Sequence, residues 1–475
     1  MSNIGFIKTQ TTTKKETSNI LVKETFTHSI AFGQTGCGKT SGFIYTNLKN
    51  RLSLGHGVLL YDYKGKEHLS VKVLAQHTQR LQDVVEIGKP WGKSINLIQN
   101  MDEDELDKFF ENILSHGEDN KYWENSAKAL GQTLLKILHS FEEYSNTLEK
   151  LTGEAPQDYI VTSSFKYPTK RTLASLVEIC ATFETLTQFI KGLSELKESI
   201  KDEIIMYSKK LIHSHEDMHK YRADIFNVIA SQEKLFKTLQ STKTSLENFG
   251  ADSNENLTQN IIGSLISPLL SLAQNPLFNT NDFDIVTALN NKKVVVVNVE
   301  SLSNTVIESL NNTILYELSK RTKSLNINPI SVFIDEVQRV MSENTDLPID
   351  IFREAKVDMF LATQNSALLK DKLKEEKFEA LMGNLTQKFY FLNSNDEELD
   401  TLHDICLLEN FQYLSSGQNY KNIESVKPIF IKDNMKLKVE YYYQKKLQVL
   451  QKYLYEHKEK EWHKRNMINI LQDCF

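Results

Sequence analysis

The sequence predicts an α/β protein in which a mainly parallel sheet is interrupted by an all-α insertion. Short apolar segments recur along the chain, several of them rich in β-branched residues, at 28–32, 57–62, 293–299, 330–335, 357–363 and 387–392. Runs without polar alternation, such as 293–299, are typical of strands buried on both faces of a parallel sheet. Between the second and third segments lies a stretch rich in Leu, Glu and Lys, in which the only Gly or Pro between Pro168 and Gly250 is Gly192. Such a stretch indicates consecutive helices.

Composition limits the class of protein. The chain has 475 residues, of which 40% are hydrophobic and 25% charged, as expected for a soluble protein of two or more domains. Its formal net charge is −6, so a broad basic surface for nucleic acid is not expected. The four cysteines show no C-x-x-C spacing, which argues against a disulfide framework or a zinc–thiolate site and fits a reducing cytosol.

A glycine-rich segment follows the first predicted strand. Residues 33–40 satisfy the G-x-x-x-x-G-K-[ST] pattern of a P-loop, between a strand and a helix. Glycines there let backbone N–H groups turn toward phosphate oxygens, Lys39 would reach the β- and γ-phosphates, and Thr40 would ligate Mg²⁺. We therefore predict ATP and Mg²⁺ as cofactors of a RecA-like domain, with nucleotide contacts from the whole loop: Gly33, Gln34, Thr35, Gly36, Cys37, Gly38, Lys39 and Thr40.

A P-loop needs an acidic partner on a neighbouring strand. Residues 330–335 are mostly apolar and end in Asp335, with Glu336 directly after it. Acids at the carboxyl end of a strand face the ligand edge of an open α/β sheet. We expect Asp335 to hold Mg²⁺, through water, and Glu336 to polarise the attacking water, which favours hydrolysis over simple binding. The alternative is a strand that ends in a solvated acidic turn.

Two further strand ends carry polar residues on the same edge. Gln364 follows the strand at 357–363 and would sense the γ-phosphate or orient water, as Gln does in other NTPases, or it would cap the next helix. Asp62 ends the strand at 57–62 within Asp62-Tyr63-Lys64-Gly65. We predict Asp62 as a nucleotide-site residue, the alternative being an ordinary polar loop.

These patterns divide the chain into four predicted parts. Residues 26–100 and 256–430 form a discontinuous P-loop ATPase domain, and 101–255 form the inserted all-α domain. A polar arm, 1–25, precedes them, and a basic helical tail, 431–475, follows. We expect the tail to bind an acidic partner, DNA phosphates or an anionic membrane surface, or to fold back on the core.

The ordered set of motifs resembles the coupling ATPases of type IV secretion and conjugation, the TraD/TraG kind, within the wider FtsK/HerA group. The P-loop and the acidic strand are common to many NTPases. The more specific matches are the Asp-x-Lys-Gly motif at 62–65, the aromatic-Trp-Glu element at 122–127, and a later series of short motifs, Leu347-Pro348, Arg353, Gln364-Asn365 and Gly383-Asn384. The resemblance spans residues 26–395.

The resemblance implies a ring, expected to be a homo-hexamer, with ATP between subunits and DNA, single- or double-stranded, in the central channel. An arginine of the neighbouring subunit usually completes such sites, and Arg353 and Arg339 are the candidates. Relaxase or secretion-channel proteins are implied partners, and the helical insertion would face the DNA or the relaxosome. Many members begin with two membrane-spanning helices, whereas residues 1–27 are polar; we expect a cytoplasmic protein that reaches the inner membrane only through partners.

Two other functions fit the same motifs. One is a HerA-like DNA-processing or defence ATPase that works with a nuclease, and the other is a nucleotide-dependent scaffold that recruits proteins. A zinc site is a weaker interpretation: residues 215–219 match H-E-x-x-H, but the charged Asp217 lies between the histidines and the sequence offers no evident third ligand.

Overall fold

The computed structural model describes most of the chain. The described residues are 19–23, 26–89, 91–114, 121–154, 158–161, 165–213, 219–250, 254–281, 283–300, 302–323, 327–345, 347–391, 405–408, 411–415 and 423–426, with isolated positions 431, 435, 436, 440, 441, 445 and 448. The chain separates into two compact units. The first contains Met1–Gly92, Val286–Ser301 and Leu315–Phe475; the second contains Lys93–Ile285 and Leu302–Ile314.

The strands, in chain order, are β1 (Asn19–Val22), β2 (Ser29–Phe32), β3 (Gly57–Asp62), β4 (Val84–Ile87), β5 (Tyr159–Val161), β6 (Lys166–Pro168), β7 (Val294–Asn298), β8 (Ile330–Ile334), β9 (Val357–Thr363), β10 (Gln387–Phe391), β11 (Ile405–Leu408), β12 (Phe411–Ser415) and β13 (Ile423–Val426). The helices are α1 (Tyr45–Ser53), α2 (Glu67–His77), α3 (Glu103–Leu114), α4 (Lys121–Thr152), α5 (Leu173–Ile179), α6 (Phe183–His213), α7 (His219–Glu247), α8 (Glu255–Ala273), α9 (Ile285–Asn290), α10 (Asn304–Ser319), α11 (Ile349–Phe352) and α12 (Ser366–Asn384).

A nine-stranded sheet forms the centre of the first unit, in the order β11-β12-β10-β2-β9-β8-β3-β7-β4. Neighbours from β10 to β4 pair in parallel, whereas β12 pairs antiparallel with β10 and β11 antiparallel with β12. The six predicted strands are all present in this sheet. The predicted α/β fold with a mainly parallel sheet is therefore confirmed.

Apolar side chains on both faces hold the sheet. Strands β2, β3, β8 and β9 are buried at every residue, which explains why their sequences lack polar alternation. On one face, Phe43 packs against Phe360 and Phe389, and Phe333 stacks on Phe360 with ring centroids 4.8 Å apart. Phe43 lies in the short π-helix Lys39–Ile44 that precedes α1. This packing fixes the start of that helix, and the P-loop with it, against the sheet.

Strand β4 was not among the predicted strands. Its sequence, Val84-Val85-Glu86-Ile87, places a carboxylate in the middle of an apolar run. Glu86 is nevertheless buried, because Lys72 of α2 pairs with it and the indole nitrogen of Trp91 donates to it at 2.6 Å. A buried charge is tolerated when a partner satisfies it, and the partners lie elsewhere in the sequence.

The second unit is mainly helical and contains α3 to α8 with the small hairpin of β5 and β6. Along α4, residues three and four apart form one buried stripe that includes Leu130, Leu134, Leu138 and Phe141. Helix α3 begins with a capping box, in which the backbone N–H of Glu105 donates to Asp102 and that of Asp102 to Glu105. The predicted insertion, 101–255, lies within this unit.

Among the described residues, no single helix is both long and apolar enough to cross a membrane; the one pair that reaches those limits together, Leu173–Ile179 with Phe183–Ile212, is bent by 96°. Residues 1–18, 24 and 25 of the predicted arm lie outside the described residues, whereas 19–22 form β1, in which Ile20 and Val22 are buried. The tail, 431–475, falls almost wholly outside the described residues.

Candidate nucleotide site

The strand order brings the predicted site to one edge of the sheet. Strand β2 runs into the P-loop, and next to it lie β9, then β8, then β3. Because these strands are parallel, their carboxyl ends meet at the same edge. The P-loop, Gln364, the acids after β8 and the Asp62-Tyr63-Lys64-Gly65 segment are therefore arranged side by side.

The glycines of the loop are required by its backbone. Gly36 and Gly38 have φ values of 84° and 102°, a region that favours glycine. At Gly33 a Cβ atom would lie 2.6 Å from the Cys37 sulfur and 2.9 Å from Phe391 Cβ, so no larger residue fits without displacement. The N–H of Gly33 also donates to the carbonyls of Thr363 and Gln364, at 3.2 and 3.1 Å. These bonds attach the loop to the end of β9.

Lys39 lies within the curve of the loop. Its side chain is buried, and its ammonium donates to the carbonyl of Gly33 and, at 3.1 Å, to that of Gln34. An ammonium held among the loop's own backbone groups is placed where a P-loop meets the β- and γ-phosphates. The conformation of the loop and the position of Lys39 both fit a nucleoside triphosphate.

Asp335 joins three elements. Its Oδ2 accepts a hydrogen bond from the Thr40 hydroxyl at 2.8 Å and another from the Lys64 ammonium at 2.8 Å. Lys64 also lies 3.9 Å from Glu336 Oε1. Partial burial lowers the pKa of Lys64, but Asp335 first, and then Glu67 and Glu336, raise it by more, so the pKa of this lysine lies above its ordinary value.

The oxygens around Asp335 fit a divalent cation. Asp335 is 6% exposed, and its second oxygen, Oδ1, is buried without a hydrogen-bond partner in the described part of the chain. A buried carboxylate oxygen left unpaired is costly unless a cation or water satisfies it. Together with the Thr40 hydroxyl it offers the hard oxygen ligands that Mg²⁺ prefers. The chemistry of these residues is therefore compatible with the predicted metal.

Glu336 is held by a chain of hydrogen bonds. Its Oε2 accepts from the amide of Gln338 at 2.6 Å and, more loosely, from Gln364 Nε2 at 3.4 Å. Gln338 in turn accepts from the Thr363 hydroxyl at 2.9 Å. Glu336 itself has φ 61° and ψ 53°, a left-handed conformation that is rare for a residue with a Cβ and costs about 1 kcal/mol or more. Strain at the end of β8 thus aims this carboxylate, and the two amides fix its direction.

The structure does not bring Asp62 to the phosphate loop. Asp62 is fully buried, and its Oδ2 accepts from the backbone N–H and the ring Nδ1 of His68, at 3.1 and 2.9 Å. Burial raises the pKa of this carboxyl, but the bonds from His68 outweigh burial and hold its pKa below the ordinary value. The contacts of Asp62 are those of a residue that shapes the turn between β3 and α2. Lys64, two positions later, reaches the site instead.

The two candidate arginines lie at different edges. Arg353 comes just before β9, and His28 comes just before β2. Burial and, after it, the charge of Arg353 lower the pKa of His28. Both positions are at the amino ends of the strands, opposite the P-loop. Arg339 follows the acidic strand, and its guanidinium lies over the Tyr63 ring, 5.6 Å from the centroid. Arg353 is thus remote from the P-loop of its own chain, whereas Arg339 lies on the P-loop edge.

Three contributors were not among the predicted site residues. Lys64 belongs to the Asp-x-Lys-Gly motif at 62–65, but only the geometry shows that its ammonium contacts Asp335. Gln338 and Thr363 orient Glu336 through two hydrogen bonds, and no spacing pattern distinguishes them from ordinary polar residues. Of the H-E-x-x-H segment, 215–219, residues 215–218 lie outside the described residues. Among the residues that are described, no group of three or more His, Cys, Asp or Glu is arranged to hold a metal ion.

Part of the chain matches a known family model. Residues 329–405 match the family model described as the TraM recognition site of TraD and TraG. The matched stretch begins at the acidic strand and includes Asp335, Glu336, Arg353 and Gln364. For this part of the chain the match confirms the resemblance to the TraD/TraG kind. No curated protein matches the sequence.

Several solved structures align with this chain at low sequence identity and low structural similarity. An unbound form of the bacterial conjugative coupling protein TrwBdeltaN70 is 12% identical, with 85% of this chain and 77% of that chain covered and a TM-score of 0.42. TrwB in complex with ADP and Mg²⁺ is 12% identical over 77% and 69% of the two chains, with a TM-score of 0.39. VirB4 of Thermoanaerobacter pseudethanolicus is 13% identical over 86% and 91%, with a TM-score of 0.41. The parallel sheet described above is established by the chain's own strand order.

Proposed function

We propose that this chain is an ATP-hydrolysing DNA motor or coupling protein that delivers or pumps DNA or nucleoprotein in a type IV secretion or conjugation-like system. The observation that carries the proposal is the 2.8 Å hydrogen bond between the P-loop Thr40 and Asp335 of the acidic strand. It joins the two halves of an NTPase site, and the acidic half belongs to the stretch matched by the TraD/TraG family model.

Each side chain of the site has a role in hydrolysis under this proposal. The loop N–H groups and Lys39 hold the triphosphate, and Thr40 and Asp335 hold Mg²⁺, which when bound would neutralise charge on the phosphate oxygens. Glu336 polarises the attacking water, and Gln338 and Gln364 keep its carboxylate in one direction. The side-chain amide of Gln364 contacts Glu336, and its backbone carbonyl accepts from the N–H of Gly33 in the loop. Gln364 would therefore sense the γ-phosphate.

The position of Arg353 supports a shared site. An arginine at the opposite edge of the sheet from its own P-loop is available to a neighbouring subunit, as a ring of head-to-tail contacts requires. We propose a homo-hexamer in which Arg353, or Arg339 from the P-loop edge, completes the adjacent site. The second unit would serve as the inserted lobe that faces DNA or relaxosome proteins, and the assembly would work in the cytoplasm, joined to the inner membrane through partners.

ATP hydrolysis measured with and without DNA tests the proposal. The rate should rise several-fold when single- or double-stranded DNA is added to the full chain, and Lys39→Ala should remove both the basal and the stimulated rate. Hydrolysis that is slow and indifferent to both forms of DNA would instead favour the protein-recruiting scaffold. Mass measurement in the presence of ATP and DNA should show rings, and a monomer under every condition would count against a motor.

A further inference from the structure

The ammonium of Lys64 is hydrogen-bonded to an Asp335 oxygen that a bound metal ion would need. Its ammonium is 2.8 Å from Asp335 Oδ2, the same atom that accepts from the Thr40 hydroxyl. It also lies 3.9 Å from Glu336 Oε1. One positive charge therefore lies between the two acids to which the hydrolytic site is assigned, and it is supplied by the chain itself.

The lysine is placed so that it can leave. Its side chain is 43% exposed, and it projects from a turn that ends at Gly65, with φ 69°. A Cβ at Gly65 would collide with the Glu300 carboxylate, so this position of the turn requires glycine. The long, solvent-exposed side chain of Lys64 allows the ammonium to change partner without a change of fold.

Lys72 shows what a structural lysine looks like in the same unit. Its side chain is 1% exposed and is paired with Glu86 on the neighbouring strand β4. The Lys64–Asp335 pair contributes less to folding than a fully buried pair, because water reaches the 43% exposed lysine, although the side chain of Asp335 is only 8% exposed. Its position on the acids, rather than its strength, is therefore the property that needs an explanation.

We propose that Lys64 is an electrostatic placeholder: its ammonium neutralises Asp335 and Glu336 in the nucleotide-free protein and gives up Asp335 when a nucleotide-bound divalent cation arrives. This inference rests on the proposed nucleotide site. An ammonium and a divalent cation cannot share Asp335 Oδ2 without strong repulsion at short range. Lys64 thus makes the acid pair a poor site for a free divalent cation, so that metal and nucleotide bind together.

The test is Mn²⁺ binding by the full chain without nucleotide, followed by the electron paramagnetic resonance signal of free Mn²⁺. Lys64→Met should bind Mn²⁺ at least about tenfold more tightly than the wild type, because the competing charge is gone. Lys66→Met is the matched control: it removes an exposed positive charge two residues away and should change the affinity less than about twofold. Asp335→Asn added to Lys64→Met should abolish the gain.

Equal or weaker Mn²⁺ binding by Lys64→Met would overturn the placeholder, and so would an equal gain in Lys66→Met. Lys64→Gln, which keeps a polar side chain at the same exposed position, should reproduce the gain, and thermal melting confirms that both variants are folded. ATP turnover by the wild type is measured separately. A Mn²⁺ gain without any turnover would leave the placeholder standing and reject the proposed hydrolysis, whereas turnover without a Mn²⁺ gain would do the reverse.

Discussion

Two ion pairs on neighbouring strands of the first unit show opposite designs. Arg51 of α1 holds Asp358 of β9, with Nε and Nη2 at 2.9 and 2.8 Å from Oδ2, and both side chains are 0% exposed. Lys64 holds Asp335 after β8 at the same distance, but its side chain is 43% exposed. Asp358 stands near the amino end of its strand and Asp335 at the carboxyl end. The two ion pairs thus have similar distances but lie at opposite ends of parallel strands and differ in exposure.

The difference lies in what surrounds each acid. The guanidinium of Arg51 also donates to the Val22 carbonyl at 3.0 Å and lies over the Phe360 ring, so the pair is sealed by packing. Burial raises the pKa of Asp358, and Arg51 opposes that rise. The lysine that pairs with Asp335 is instead 43% exposed, so water reaches that pair from the lysine side. Each acid keeps its Oδ1 without a hydrogen-bond partner among the described residues. Removing Arg51 would leave a buried charge unpaired, whereas in the open pair, Lys64–Asp335, the exposed lysine can leave Asp335 available for chemistry.

The largest effect is expected beside the open pair. Glu336→Gln should still bind ATP and Mg²⁺ but turn over about 10²- to 10⁴-fold more slowly, because the amide keeps the shape and loses the base that polarises water. Quenched-flow measurement of ATP hydrolysis checks this, and nucleotide binding is the control. Normal turnover in both Glu336→Gln and Asp335→Asn would show that β8 is not the acidic strand of the site.

Breaking each pair by substitution should change the free energy of unfolding by different amounts. Arg51→Met should lower the free energy of unfolding by about 3–5 kcal/mol, since it leaves Asp358 buried without its charge partner. Lys64→Met should change the same quantity by less than about 1 kcal/mol, because water reaches the exposed lysine and Asp335 keeps the hydrogen bond from Thr40. Urea denaturation of both variants measures this contrast. If they lose similar stability, the distinction between a sealed and an open pair is wrong.

The stability of the fold should also depend on pH through His28, which lies at the amino end of β2. Burial, and then the charge of Arg353, lower the pKa of His28 from 6.5 to about 4. The unfolded chain therefore binds a proton more readily than the folded one, and the stabilising contribution is present above about pH 6.5 and is lost as the pH falls toward 4. Between pH 7 and pH 5, we expect His28 to account for a loss of about 2 kcal/mol.

His28→Asn tests this origin, because Asn tolerates the left-handed φ of 48° at this position. The variant should be less stable at pH 7, and its stability should fall less steeply between pH 7 and pH 5. The slope is the informative quantity, and an unchanged slope would assign the acid sensitivity to other groups.

A smaller effect is expected from the residue that aims Glu336. Gln338→Ala removes the 2.6 Å hydrogen bond that orients the carboxylate. Losing it should raise the activation free energy by about 1.4 kcal/mol and so slow turnover about tenfold. Nucleotide affinity should stay within about twofold, since Gln338 does not belong to the phosphate loop. Weaker ATP binding with unchanged turnover would give Gln338 a different role.

Sequence patterns predicted the elements that depend on local order. The G-x-x-x-x-G-K-[ST] segment and the apolar strand ending in Asp335 are each readable without neighbours, because glycine backbone freedom and burial on both faces act within one segment. Pairings that join distant segments were not readable. Strand β4 was not predicted because Glu86 interrupts its apolar run. The lysine that pairs with Glu86 when it is buried, Lys72, lies on the preceding helix α2.

The end of β3 shows the same limit. Asp62 and Lys64 lie two residues apart, and either is a plausible site residue from the sequence. The turn that follows β3 directs Asp62 to His68 and Lys64 to Asp335. Which side chain reaches the site is decided by the turn geometry and by Asp335, which lies 271 residues from Lys64 in the chain. Neither can be predicted from one sequence.

The most direct test of the nucleotide site is the affinity for ATP of wild type and Lys39→Ala, measured side by side by titration in the presence of Mg²⁺. Removing the ammonium that lies within the loop should weaken binding at least about tenfold, because a positive charge at the β- and γ-phosphates disappears. Wild-type affinity in Lys39→Ala would contradict the assignment of residues 33–40 as the phosphate loop.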